Sequence, residues 1–483
     1  MQKQPCTACY SPNTATPRRD FLFDLGSGLG GIALAWLLGQ DSARAAGSQT
    51  SSLLPYHKPK AHRVVQIFLP GGVSQVDTFD YKPELWRRHE QPLPVERHVE
   101  TFNNDIGHLM RSPWEFRQHG RSGLWMSDLL PHLATCADDL TLLQGMVAKS
   151  SNHGPGQLQM NSGFIRNGFP CLGAWLSFAL GRISDNLPTF VVLPDPRGLP
   201  AGGVANWTAG FLPAEHQGVA FQSKGAPVSD LVTPLSFNDE VQRDTLALLR
   251  DLNSEYAARI PGQTDLVARI AAYNLAARMQ TSIPEAVDFS HEREATKRLY
   301  GLDHPVCGPF ARNCLLARRL LERGVRFVQL YQGCSAMKPR VNWDAHENVV
   351  QNHTQEAAIM DQPVAALIKD LKQRGMFDDT LLLWTTEFGR TPFSQGKGKL
   401  GRDHNQFGFT IFMAGAGLRP GTKFGATDEI GHRAVEGVTD IADFHATVLH
   451  LLGLNHERLT YRYSGRDYRL TDVEGRVIGE VLA

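Results

Sequence analysis

Two short stretches of the sequence concentrate carboxylate and imidazole side chains. The first carries Asp344 and His346, and the second, Leu381–His404, carries Glu387 and His404. Carboxylate oxygens and imidazole nitrogens bind divalent cations, and a mixed set of the two suits zinc or manganese better than calcium. The two stretches therefore predict the halves of one metal site.

A third candidate ligand, Asp77, follows a glycine turn after the apolar run Arg63–Leu69. Such a turn would place the carboxylate at the carboxyl edge of a strand, where open α/β sheets bind their ligands. The alternative is an aspartate that caps a helix or stabilises a turn, which is the role we assign to Asp80.

Other side chains are candidates for chemistry rather than for metal binding. His153 lies at a predicted strand-to-helix turn, where free N–H groups favour a nucleophile, a ligand or an anion, although a plain Asn/Gly turn is the alternative. Arg390 could hold a phosphate or sulfate oxygen in a fork of donors, or form a structural ion pair. His445 and His450 are five residues apart, which does not place both on one helical face, so we assign them a packing role.

These residues require a scaffold that brings loops to one edge of a sheet. The runs Arg63–Leu69, Arg326–Tyr331 and Leu381–Trp384 are apolar on both faces, as buried parallel strands are, and we expect them side by side with their carboxyl ends on one edge. Repeated helix-then-strand order predicts an α/β fold, a doubly wound, mostly parallel sheet with helices on both faces. Further strands are predicted at Leu140–Met146, Thr189–Pro194 and Gly408–Ala414, and helices at Leu129–Cys136, Gln157–Asn161, Leu172–Leu180, Asp239–Arg259, Leu266–Thr281, Arg293–Tyr300, Phe310–Arg323, Thr354–Arg374 and Asp443–Leu452.

The composition sets the limits within which these elements fold. The chain has 483 residues, of which 42% are hydrophobic and 20% charged, so it is long enough for a large core. Its formal net charge is zero, which gives no argument for nucleic acid or an anionic membrane as a partner. A charged substrate would have to be bound by a local site.

The first residues have the features of an export signal. Twin arginines in Pro17–Leu22 precede the apolar stretch Leu25–Leu38 and an A-x-A cleavage site after Ala45. The alternative, an uncleaved membrane anchor, is disfavoured because glycines interrupt the apolar stretch and it is shorter than the ~20 residues of a span. Residues 1–45 are therefore predicted to be a twin-arginine signal peptide, which implies a periplasmic or cell-surface protein with no stable membrane span after cleavage.

The remainder is predicted to form one domain behind a short linker. Residues 46–62 are the linker, and residues 63–483 are the domain. Residues 198–235 are rich in Gly, Ala and Pro without a clear period, which indicates a loop insertion, and residues 239–323 are predominantly helical in pattern.

The cysteines do not indicate a metal knuckle or a disulfide scaffold. Two of the seven fall in the leader, and the other five have no C-x-x-C spacing. Cys307 and Cys314 are close enough in sequence to form a bridge, although two buried thiols are the simpler interpretation.

Several phrases of the sequence carry a family resemblance. They are WDAHEN, DDTLLLWTTEFGRTP, GRDHNQFGFTIFMAGAG, LLARRLLERGVRFVQLY and DFHATVLHLLGLNHERLTYRYSGRDYRLTD. Nearly the whole chain after the leader resembles the exported domain-of-unknown-function family fifteen-hundred-and-one. That family is in turn similar to the alkaline phosphatase and sulfatase superfamily, whose sheet holds one or two divalent metals beside a covalent nucleophile.

The resemblance implies a set of ligands and one departure from it. The glutamate and phenylalanine of Glu387-Phe388 stand where the superfamily has an Asp-His ligand pair, and Phe388 has no ligand atom. The implied divalent-metal ligands are Asp77, Asp344, His346, Glu387 and His404.

The nucleophile is a second departure. Counting back from Ser162-Gly163 places His153 where the superfamily has Ser, Thr or Cys, and Ser150 and Ser151 lie a few residues upstream. His153 could serve as a ligand or attack phosphorus itself.

Two functional hypotheses follow. In the first, the chain is a metal-dependent hydrolase of phosphate or sulfate esters, with His153 and Arg390 as catalytic residues and a small-molecule or polysaccharide ester as substrate. In the second, it is a non-catalytic exported binding or assembly protein on the same fold. The potential ligands favour the first hypothesis, and the missing hydroxyl nucleophile favours the second.

Overall fold

The computed structural model describes most of the chain after the leader. The described residues belong to the unit Leu54–Ala483. The predicted leader 1–45, the first part of the linker and most of the predicted helix Leu266–Thr281 lie outside them. No helix among the described residues is both long and apolar enough to cross a membrane. These residues are 56–93, 99, 101, 106–221, 238–259, 270, 273–275, 279, 283–335, 340 and 342–483.

Strands occur along the whole described chain. In chain order they are β1 (Arg63–Phe68), β2 (Ile106–Leu109), β3 (Phe116–His119), β4 (Leu124–Ser127), β5 (Leu140–Val147), β6 (Phe190–Leu193), β7 (Val219–Ala220), β8 (Phe327–Tyr331), β9 (Thr380–Thr385), β10 (Gly389–Gln395), β11 (Arg402–Asn405), β12 (Phe409–Gly415), β13 (Thr422–Phe424), β14 (Ala426–Thr427), β15 (Ala434–Glu436), β16 (Thr439–Asp440), β17 (Tyr461–Tyr463) and β18 (Arg466–Tyr468).

The main sheet has the order β13-β5-β12-β9-β1-β8-β6-β7, with β16 beside β5. Strand β1 pairs in parallel with β8 on one side and with β9 on the other. This confirms that the three apolar runs lie side by side. Strand β12 is antiparallel to both of its neighbours, β5 and β9, while the other pairs of the sheet are parallel. The predicted mostly parallel sheet is thereby confirmed.

Helices cover both faces of this sheet. Val65 and Ile67 of β1 belong to one hydrophobic core, and Val64 and Phe68 to another, because successive side chains of a strand point to opposite faces. The first core includes the helices Gly308–Glu322 and Val349–Gln373, and the second includes Leu172–Leu180 and Ile441–Leu451. Other helices with described bounds are Gln75–Thr78, Pro83–Arg87, Pro131–Ala134, His153–Ser162, Asp239–Arg259 and Glu294–Tyr300.

Two helices begin earlier than the sequence predicts. The helix expected to start at Thr354 starts at Val349, because the Asn348 side chain accepts a hydrogen bond from the Gln351 N–H at 3.1 Å. The helix expected at Gln157–Asn161 begins at His153.

The segment after β9 is a correction to the sequence interpretation. The sequence after the apolar run Leu381–Trp384 predicts a Gly/Lys-rich loop that ends at His404. In the structure, residues on either side of its turn form the antiparallel pair β10 and β11, with β2 on the other side of β10. His404 therefore lies on a strand, directly opposite Arg390. Cys307 and Cys314 are buried free thiols, so the two do not form a bridge.

Candidate metal centre

Four side chains direct one donor atom each toward a common point. Asp344 Oδ1 lies 2.8 Å from His346 Nε2 and 3.3 Å from Nε2 of both His153 and His404. The Nε2 atoms of His346 and His404 are 2.9 Å apart, and all four donors lie within 4.8 Å of one another. Zinc–ligand bonds of about 2.0–2.1 Å in a tetrahedron separate the donors by roughly 3.3 Å. The four separations of 2.8–3.3 Å given above are close to this value.

The donors come from a helix, a loop and a strand. His153 begins the helix that follows β5, Asp344 and His346 lie in the loop after β8, and His404 is on β11. The loops approach one another closely because glycine stands at the contact. A Cβ atom on Gly71, which has φ +116°, would lie 2.5 Å from the backbone nitrogen of Asp344.

Hydrogen bonds at Nδ1 fix the tautomers of His404 and His346. His404 Nδ1 lies 2.5 Å from the carbonyl oxygen of Ser151, and since a carbonyl only accepts, Nδ1 carries the hydrogen. His346 Nδ1 lies 2.5 Å from Gln395 Oε1 and donates in the same way. In the neutral rings both Nε2 atoms then present lone pairs to the common point.

His153 is oriented by a carboxylate. Its Nδ1 atom lies 2.7 Å from Glu387 Oε1, and its Nε2 atom is buried without a hydrogen-bond partner among the described residues. Carboxylate–histidine pairs of this kind hold metal-binding imidazoles in place, and a cation would satisfy the orphaned nitrogen. The donor set therefore fits a divalent metal.

The site shifts the pKa values of Asp344, His404 and His153 in different directions. Burial raises the pKa of Asp344, but Arg390 and the three imidazoles hold it well below its usual range. Burial and the charge of Arg390 lower the pKa of His404 to about 3. Burial also lowers the pKa of His153, but the carboxylates of Asp344 and Glu387 outweigh it and raise the pKa to about 9. Asp344 is therefore anionic and His404 neutral at pH 7.

Arg390 makes the contacts of a structural ion pair, which is the alternative in the sequence interpretation. Its guanidinium is fully buried and donates to Asp344 Oδ1 at 2.7 Å. It also donates to the carbonyl oxygens of Gly72 at 2.9 Å and Arg402 at 3.1 Å, and to that of Gly71. With its donors directed at the backbone and at Asp344, Arg390 orients the carboxylate and does not present a fork to a substrate.

Asp77 lies outside the group of four. Its carboxylate accepts from Arg402 Nε at 2.7 Å and Nη2 at 3.1 Å, and both side chains are fully buried. Ser74 Oγ donates to the same carboxylate at 2.5 Å. In the structure Asp77, which the resemblance implies as a metal ligand, is therefore paired with the Arg402 guanidinium.

Glu387 is behind the donors and is not one of them. Its Oε1 atom accepts from the Gly71 N–H at 2.8 Å, from His153 Nδ1, and from Gln157 Nε2 at 3.2 Å. Phe388 is buried and packs against the rings of His153 and His404, with centroids 5.1 and 4.6 Å away. The Glu387-Phe388 pair thus supports the imidazoles from one side.

The two upstream serines contact different parts of the protein. Ser151 presents its carbonyl oxygen to His404, and Ser150 Oγ accepts from the Asn152 N–H at 3.1 Å. His153 remains the residue at the position where the resemblance implies a nucleophile.

Comparison with known proteins places the chain in a family. Residues 61–482 match the model of the family described as a protein of unknown function, DUF1501. The chain belongs to this family. No curated protein matches the DUF1501 chain in sequence.

Solved structures that show a low similarity to this DUF1501 chain include three proteins. They are the lipoteichoic acid synthase LtaP from Listeria monocytogenes (10% identity, 86% of this chain and 78% of that one, TM-score 0.36), the phosphonate monoester hydrolase SpPMH from Silicibacter pomeroyi (13%, 81% and 73%, 0.35) and the PsFucS1 sulfatase from Pseudoalteromonas sp. (12%, 86% and 72%, 0.35).

Three residues of the site in this DUF1501 chain were missed by sequence reasoning. Gln395 holds His346, Arg402 pairs with Asp77, and Arg340 donates to Asp344 Oδ2. The only available signal was the four-residue spacing of Arg340 and Asp344.

Proposed function

We propose that this DUF1501 chain is a metal-dependent hydrolase of phosphate or sulfate esters, with one divalent cation held by His153, Asp344, His346 and His404. The observation that supports it is the convergence of three imidazole Nε2 atoms and one carboxylate oxygen within 4.8 Å. Zinc or manganese suits this set better than calcium, which prefers oxygen ligands.

The residues around the cation would have different roles. A bound divalent cation would polarise the ester oxygens and lower the pKa of water. Asp344 supplies negative charge and is held in place by Arg390, while His404 anchors the buried side. The side chains of His153 and His346 are 22% and 12% exposed, so an ester would approach from their side.

A second candidate is an exported binding or assembly protein whose metal is structural. Four protein donors complete a tetrahedral shell, which is typical of structural sites, whereas catalytic zinc sites keep one position open. The position expected for a hydroxyl nucleophile is also occupied by His153. Both features favour this candidate.

Metal analysis combined with ester assays tests the proposal. Elemental analysis of the purified chain is expected to give one zinc or manganese per chain, with less in Asp344→Asn and Glu387→Gln. The metal-loaded chain is expected to hydrolyse p-nitrophenyl phosphate or p-nitrophenyl sulfate, and both variants should lose that activity.

The outcome distinguishes the two candidates. A loaded protein that is inert toward both esters would leave the structural-metal candidate. Unchanged metal stoichiometry in Asp344→Asn would contradict the centre itself.

His153→Ala refines the result. Removing this donor from a four-donor shell should weaken metal binding. If the variant keeps its metal and loses only activity, then His153 acts on the substrate.

A further inference from the structure

One cationic side chain beside the centre differs from the buried arginines. Arg340 donates through Nη1 to Asp344 Oδ2, yet its side chain is 37% exposed. Its Nη2 atom lies 3.8 Å from Glu347 Oε1, which is beyond hydrogen-bond distance. Arg390, on the other oxygen of Asp344, is fully buried. Asp344 is therefore held by one arginine from inside the protein and by another from the solvent side.

We propose that Arg340 binds the anionic group of the substrate, the role that the sequence suggested for Arg390. This inference rests on the proposed function, because it assigns the anion contact of that same site. Arg340 uses one of its five donors on Asp344 among the described residues, so its guanidinium edge is available to a phosphate or sulfate oxygen. Planar, forked donors suit such oxyanions better than a point charge does.

The neighbouring turn adds positive charge on this side of the protein. The turn between β10 and β11 carries the exposed residues Lys397 and Lys399. It packs on the loop of Asp344, since the Val349 N–H donates to the Leu400 carbonyl at 3.0 Å. Lysines near the mouth of a site raise the local concentration of anions. Arg340 would then form the directed hydrogen bonds to the anion.

Binding of inorganic phosphate, measured by calorimetry on the zinc-loaded chain, tests the inference without turnover. Wild type should bind phosphate, and Arg340→Gln should weaken the binding about tenfold to a hundredfold, because a charge-assisted contact is lost. Arg340→Lys should fall between them. Arg117→Gln, at an exposed arginine on the hairpin of β3 and β4, serves as the control and should bind as wild type does.

Three results would overturn the inference. Equal affinity in wild type and Arg340→Gln would show that Arg340 makes no anion contact, as would a wild type that does not bind phosphate. Loss of zinc together with phosphate in Arg340→Gln would reduce its role to holding Asp344. A chain that binds phosphate through Arg340 but hydrolyses no ester would defeat the proposed function and leave this inference standing.

Discussion

The Nε2 atoms of His346 and His404 lie 2.9 Å apart, although the opposite nitrogen of each ring donates a hydrogen bond. Two neutral imidazoles in these tautomers point lone pairs at each other, which is unfavourable unless a proton or a cation lies between them. The anionic carboxylate of Asp344, 2.8 Å from His346 Nε2, adds a third lone pair at the same point. This arrangement is the reason to expect a metal at the centre.

Removal of either imidazole should release the metal. His346→Ala and His404→Ala are expected to lower zinc affinity by more than about a hundredfold, since even partners behind the ligands contribute 10–100-fold. Competition with a chelator of known affinity measures the change. His291→Ala, at an exposed histidine, is the control and should keep wild-type affinity.

Glu387→Gln should have a smaller effect than loss of a donor. The amide can still contact His153 Nδ1 but removes the negative charge that holds the ring, so we expect zinc affinity to fall about 10–100-fold. At saturating zinc the stoichiometry should still be one. A stoichiometry of zero would make Glu387 a direct ligand.

The pair of Asp77 and Arg402 should be essential for stability rather than for metal binding. Arg402→Met leaves a fully buried carboxylate without its partner and is expected to cost about 3–5 kcal/mol of unfolding free energy. Asp77→Asn combined with Arg402→Met should recover part of the loss, as measured by denaturant unfolding. Wild-type stability in Arg402→Met would contradict the ion-pair role.

His445 should make the fold sensitive to acid. Burial lowers the pKa of His445 to about 4, against about 6.5 in an unfolded chain, and its Nε2 atom lies 2.9 Å from the Met160 carbonyl oxygen. Between pH 6.5 and pH 4 the unfolded state binds a proton at His445 that the folded state does not bind. The unfolding free energy is therefore at its maximum above pH 6.5 and decreases by roughly 3 kcal/mol toward pH 4.

Unfolding free energies of wild type and His445→Gln between pH 7 and 4 test this. The glutamine can keep the bond to Met160 but does not titrate, so its profile should be flatter. His62→Gln, at an exposed histidine, should follow the wild-type profile. Parallel profiles for wild type and His445→Gln would assign the acid sensitivity to other groups.

The leader should be removed on export. Twin arginines, a short apolar stretch and the A-x-A site predict cleavage between Ala45 and Ala46. N-terminal sequencing of the exported protein is expected to start at Ala46. An exported chain that begins upstream of Arg18 would contradict the prediction.

The sheet and most of the centre were predictable because their signals are local. Strands β1, β8 and β9 are apolar on both faces. Asp344 and His346 follow the end of β8, and His404 comes after β9 in the chain, on β11. Asp77 has the same local signal, but its carboxylate is taken by Arg402, 325 residues away. A pairing of that separation depends on tertiary structure, which periodicity and spacing do not report.

The roles of the arginines also could not be predicted from the sequence. Arg390 and Arg340 are alike as sequence letters near candidate ligands, and only burial separates the one that faces the backbone from the one that faces solvent. Gln395 is an unremarked amide on a strand until its oxygen is seen beside His346.

The donors of the centre reach it from chain segments as far apart as His153 and His404. None of them can be in place until β5, β8 and the β10–β11 hairpin have come together, so binding of the proposed metal would be coupled to completion of the fold. The compartment in which the chain folds, with its own supply of free ions, would then select that metal. If the twin-arginine route carries the folded chain across the membrane, that selection is made in the cytoplasm, before the protein is exported.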